Sequence, residues 1–113
     1  MGHGTSRPIT LVVHATLNDE ANAKEFYKVA KSEIRGYASS FRVYKKGRQL
    51  RVLETYPSNN TFTKWLTERG FNIHKQYNRG YIVVTSITVL GALSDSNRDL
   101  LNKFNVSVFD SWM

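Results

Sequence analysis

The chain has 113 residues, 41% of them hydrophobic and 12% aromatic, which suits one domain with a real core. No apolar run reaches the length a membrane-spanning helix needs, and with no cysteine at all the chain has no disulfide, no thiolate chemistry and no Cys-ligated metal. Sixteen Lys and Arg against nine Asp and Glu leave a charge of +7, spread along the chain apart from Lys45-Lys46-Gly47-Arg48, so it reads as solvated surface.

Residues 1–8, MGHGTSRP, lack the apolar core of a signal peptide and read as a disordered polar leader or tag remnant. That leaves 9–113 as a single domain, with a cytoplasmic location as the expectation. Ile9 to Leu17 is rich in β-branched residues and predicts the first strand. Asn18, Asp19 and Glu20 then supply a cap and first-turn acids. Ala23, Phe26, Tyr27, Ala30, Ile34 and Tyr37 follow at helical spacing, and Gly36 marks the end of that helix. Residues 41–44 and 50–56 predict two strands joined around Lys46-Gly47, a hairpin signal, and Pro57 stops the second. Ser58, Asn59 and Asn60 are good N-caps for a helix carrying Phe62, Trp65 and Leu66.

Residues 81–93 form a long apolar, β-branched run. Ser94-Asp95 caps a short helix bearing Leu100, Leu101 and Phe104, and Val106 to Phe109 is the last strand. The order is β-α-β-β-α-β with an extra C-terminal helix and strand. It predicts an α+β, ferredoxin-like fold, an antiparallel sheet with helices on one face.

A sheet covered on one face should alternate apolar and polar residues. Ile82-Val83-Val84 and Ile87, Val89 and Leu90 instead place apolar side chains on both faces. The economical cover for the second face is another copy of the chain, which predicts a homodimer. The competing cover is the extra helix and strand of the same chain.

His3 falls in the leader, so His14 in the first strand and His74 after the second helix are the candidate bases near neutral pH. The sequence holds no Gly-rich phosphate loop, HExxH, paired-carboxylate spacing or G-x-S-x-G elbow, so hydrolase and kinase chemistry have no support. Trp65 and His74 are nine residues apart and would face opposite sides of one unbroken helix. A break at Gly70 would place Phe71 and His74 on one face of a restarted turn and let Trp65 and His74 share a space. The plainer accounts are a core aromatic for Trp65 and a loop residue for His74.

The strand pattern, the strand end from Glu54 to Pro57 and the stretch TFTKWL…FNIH resemble the antibiotic biosynthesis monooxygenase family, over residues 9–109. The resemblance implies a dimeric α+β barrel whose two sheets pack face to face. It also implies a pocket between sheet and helices in which a small phenolic or quinol-type aromatic reacts with O2, without metal or flavin. By that resemblance His74 or His14 is the base, Trp65, Phe62 and Phe71 are walls, and Tyr27 or Tyr56 holds the oxyanion. The family's haem-degrading branch combines a first-strand Asn, a second-helix Trp and an iron-ligating His nine or ten residues later. Trp65 and His74 match the last two, but the first strand has no Asn, and Asn18 lies past its end. Haem on His74 is therefore the alternative to a cofactor-free site, with a non-catalytic small-molecule-binding dimer as a further one. A nucleic-acid partner is disfavoured, because the central strands lack stacking aromatics.

Overall fold

The computed structural model describes residues 7–70 and 80–111. Among them the chain runs β1 (Ile9–Leu17), α1 (Ala23–Ile34), β2 (Ser40–Lys46), β3 (Gln49–Tyr56), α2 (Asn59–Trp65), β4 (Ile82–Leu90), α3 (Asp95–Leu100) and β5 (Val106–Phe109). A short 3-10 turn (Glu20–Asn22) leads into α1, and α2 continues as a π-helical segment over Leu66–Gly70. The strands form one sheet in the order β2-β3-β1-β4-β5. Its pairings are antiparallel except β4 with β5. This is the ferredoxin-like α+β fold that the sequence predicts, with the extra strand joining as a parallel edge.

Local chemistry sets the boundaries. The Asp19 carboxylate accepts a 2.9 Å hydrogen bond from the Ala21 N–H, and Ser58 Oγ accepts one of 3.2 Å from Thr61 N–H at the start of α2. Gly36 follows α1 with φ +89°, a backbone region that disfavours any side chain. Lys46 pairs with Gln49 across a two-residue turn whose first residue, Gly47, has φ +59°. That is the II′ requirement for a tight hairpin.

One face of the sheet carries the helices. Phe26, Ala30 and Ile34 from α1 and Phe62, Trp65 and Leu66 around α2 pack on the inward side chains of β1, β3 and β4. The apolar run in β4 is less two-sided than its sequence suggests. Its register against β1 slips between His14 and Ala15, so Ser86 faces the one and Val84 the other. The extra residue, Thr85, shifts the alternation by one, which brings Ile82, Val84, Ile87 and Val89 all to the helix side. Its hydroxyl donates to the His14 carbonyl at 3.0 Å. Val83 and Leu90 alone remain on the open face of β4 as large apolar residues.

That open face is not covered by the C-terminal elements. β5 extends the sheet edge, and α3 packs beside α2 through a buried polar joint. Asn97 Oδ1 accepts from Thr63 Oγ1 at 2.7 Å, and Asn97 Nδ2 donates to the Asn59 carbonyl and to Asn59 Oδ1 at 3.1 Å each. Asn59 in turn donates to the Ala92 carbonyl at 2.8 Å and accepts from Ser94 N–H at 2.8 Å. Asn97 is fully buried, so removing it strands its partners without water. Asn97→Ala is expected to cost about 2–4 kcal/mol in urea unfolding, against less than about 1 kcal/mol for the exposed Asn102→Ala.

Candidate active site

The helices do not close completely on the sheet. A cavity of about 40 Å³ remains between them, and the cleft leading into it brings the empty space to about 590 Å³, open solvent included. The enclosed part alone is smaller than the roughly 150 Å³ of an apolar cavity that admits benzene. An aromatic occupant would therefore lie partly in the cleft.

The lining is apolar with one exception. Leu11 and Val13 of β1, Val52 of β3 and Ile87 of β4 form the floor, while Phe26 of α1 and Trp65 of α2 form the roof. Among the described lining residues, Glu54 is the only one that ionises. It sits on β3 in phase with Leu50, Val52 and Tyr56, so the two-residue period of the strand turns it inward. Its carboxyl Oε1 accepts a 2.7 Å hydrogen bond from the Tyr56 hydroxyl.

Burial in this apolar setting pushes the Glu54 carboxyl up from 4.5 to about 7, with the Tyr56 hydrogen bond acting in the opposite direction. Burial, then the neighbouring carboxylate, also raises the Tyr56 hydroxyl well above 10, so it stays protonated. Tyr56 is fixed by packing. Its ring centroid lies 4.9 Å from that of Phe62 and 5.8 Å from that of Trp65. A carboxyl that exchanges its proton near neutrality, in a largely dry space, is chemically equipped to act as a general base.

The residues singled out in the sequence are distributed unevenly. Phe62 and Trp65 line the cavity, and Tyr56 lies behind Glu54. His14 does not face the cavity. It alternates with the inward Val13 and Ala15, so it points to the open face, where Nε2 lies 3.5 Å from Thr88 Oγ1. Tyr27 is 39% exposed on the flank of α1, its ring 5.8 Å from Phe41, away from the cavity interior. Tyr27 is thus not among the residues that line the cavity, and the Tyr56 hydroxyl donates to Glu54. Phe71 and His74 lie outside the described residues; at Gly70, where the sequence predicts a break, the helix has already changed to the π-helical segment Leu66–Gly70. Glu54 is not among the candidates that the sequence reading names; the local sign of it is a lone acid in the apolar phase of β3.

The fold is shared with several solved proteins. MupZ from Pseudomonas fluorescens matches with a TM-score of 0.76, over 95% of this chain and 92% of that one, at 13% identity. SnoaB from Streptomyces nogalater, a cofactor-independent oxygenase, matches with a TM-score of 0.63 over 78% of this chain and 95% of its own, at 16% identity. Rv0793 from Mycobacterium tuberculosis gives 0.54 over 79% and 98%, also at 16% identity. At such identities the likeness is one of fold. No family model and no curated protein sequence matches the chain. No helix among the described residues is long and apolar enough to cross a membrane.

The Glu54 carboxyl gives stability a definite pH dependence. Its folded pKa lies above the unfolded value, so its contribution is complete below pH 4.5 and is lost as pH rises through about 7. A shift from 4.5 to about 7 corresponds to a loss of about 3 kcal/mol. Urea unfolding of the wild type and of Glu54→Gln between pH 4.5 and 8 checks this. The Gln variant is expected to gain on the wild type by about that amount as pH rises. Parallel curves would refute the assignment.

Proposed function

We propose that this protein is a homodimeric oxygenase that oxidises a small phenolic or quinol-type aromatic with O2, needs no cofactor, and uses Glu54 as its base. The observation that carries the reading is a carboxyl with a pKa near 7 inside an otherwise apolar cavity between sheet and helices. The shared fold with a cofactor-independent oxygenase supports it.

The chemistry follows from the site. Glu54 takes the proton of the substrate hydroxyl, and low polarity around the resulting aryloxide makes it a stronger electron donor. One electron passes to O2, and the aryloxyl radical and superoxide join at a ring carbon to form a C–O bond. The new peroxide takes the proton back from Glu54, and loss of water, which also removes the ring C–H, leaves a quinone. In sum, one phenol and one O2 give one quinone and one water. Phe62 and Trp65 provide the apolar walls that hold a flat ring and exclude solvent.

The haem alternative gains no support at this site. The described lining offers no histidine to ligate iron and no Lys or Arg to meet propionates, and His74 lies outside the described residues.

Homodimerisation rests on the open sheet face. Tyr44, Val83, Leu90 and Phe109 stand on it at 45–60% exposure, and among the described residues no element of the same chain covers them. A second copy, packed face to face about a two-fold axis, would bury the same patch on both subunits.

Metal-free protein is expected to consume O2 with a hydroquinone or anthrone, and Glu54→Gln to lower kcat by about 10²–10⁴-fold. No uptake with any such compound would sink the oxygenase reading, whereas loss in His74→Ala but not in Glu54→Gln would move the base to His74. For the dimer, sedimentation at micromolar concentration should give twice the monomer mass. Leu90→Glu combined with Phe109→Asp should halve it without loss of the circular dichroism signal. A wild type that sediments as a monomer would overturn the assembly.

A further inference from the structure

The hydrogen bond from Tyr56 engages only one of the two Glu54 oxygens. Oε1 accepts it at 2.7 Å, while Oε2 accepts none among the described residues. Tyr56 is completely buried, and its ring packs against Phe62 and Trp65, which holds the hydroxyl oxygen beside Glu54 Oε1. Burial and the neighbouring carboxylate raise its own pKa well above 10, which leaves it a donor around neutrality.

Among the described lining residues no other side chain ionises, and the Trp65 indole N–H is the one other polar group there. Around the cavity β1, β2 and β4 present aliphatic side chains and the Phe41 ring. Helices α1 and α2 present aliphatic and aromatic groups, and the chain after α3 presents Leu101. Tyr56 is thus the single titratable group facing Glu54 among the described residues.

We propose that Tyr56 is a positioning residue, whose hydroxyl pins Glu54 Oε1 and so leaves Oε2 as the atom that takes the substrate proton. This rests on the reading of Glu54 as the base. A carboxyl free to rotate in an apolar space presents either oxygen in any direction. Held at one oxygen, it directs the remaining lone pairs into the cavity. The same bond favours the charged form, so more of Glu54 is ionised near neutrality than burial alone would allow.

Tyr56→Phe removes the donor and keeps the ring packing. Carbon-13 NMR of the side-chain carboxyls in the full chain, without substrate, reads the Glu54 titration directly, with Glu54→Gln assigning the signal. The midpoint is expected to rise in Tyr56→Phe. Site-specific Tyr56→3-fluorotyrosine, a stronger donor of nearly the same shape, is expected to lower it. A midpoint unmoved by both changes overturns the proposal.

The pH profile of oxygen uptake supplies a second readout. Tyr56→Phe should be slower by roughly tenfold near pH 6, with the gap narrowing towards pH 9 to the smaller loss caused by a carboxyl free to rotate. A rate equal to the wild type's at every pH would overturn the proposal. If the NMR midpoint moves but no protein takes up O2, the oxygenase reading fails while the hold of Tyr56 on the carboxyl stands.

Discussion

Placing one carboxyl group among aliphatic and aromatic side chains is the costliest arrangement in this molecule, because a charge without water is strongly disfavoured. Glu54 bears that cost on β3, and the only compensation that the described residues offer is the Tyr56 hydroxyl. The result is a carboxyl that shifts its pKa to about 7 instead of leaving the cavity. Tyr56 meets it because both side chains share one face of β3, two residues apart. The aromatic cluster with Phe62 and Trp65 then holds the donor in place. Where structural acids are normally drawn to water, this one is kept from it, and proton transfer is the chemistry such a placement suits.

The rest of the architecture serves to keep the cavity present and enclosed. Helices α1 and α2 cover one face of the sheet, and the slip at Thr85 lets β4 contribute four apolar residues to that same side. Without the slip, two of those four would turn to the open face and the floor would be incomplete. The Asn59–Asn97–Thr63 joint ties α3 to the beginning of α2. Because Trp65 and Phe62 ride on α2, that joint links the C-terminal elements to the cavity wall, to which Leu101 also contributes directly.

The open face shows a division of its own. Its β2–β3 side carries Arg42, Lys46 and Arg51 around Tyr44, whereas its β4–β5 side carries Val83, Leu90 and Phe109. A partner subunit would bury the apolar side most readily, since desolvating cations without acidic partners is unfavourable. The two faces of the sheet thus differ in kind: the helix side encloses a cavity, and the outer side exposes a mixed apolar and cationic surface, on which the proposed assembly rests.

Much of the fold was legible in the chain because it is written in local terms. The bounds of β1 and β5, the caps at Asp19 and Ser58, the Gly47 hairpin and the short helix after Ser94 follow from residue periodicity and turn chemistry, which depend on near neighbours alone. Phe62 and Trp65, which the family resemblance implies as walls, both line the cavity, since a capped helix has a determinate inward face. What the sequence could not express was the phase between strands. The slip opposite His14 and Ala15 decided which side of β4 is apolar, and the alternation of β1 turned His14 away from the site. Glu54 became a candidate base only when β1, β4 and two helices closed around it, because a pKa depends on surroundings contributed by distant parts of the chain. Local pattern determined the elements; tertiary packing alone decided which ionisable group is enclosed, since burial is a property of the assembled fold.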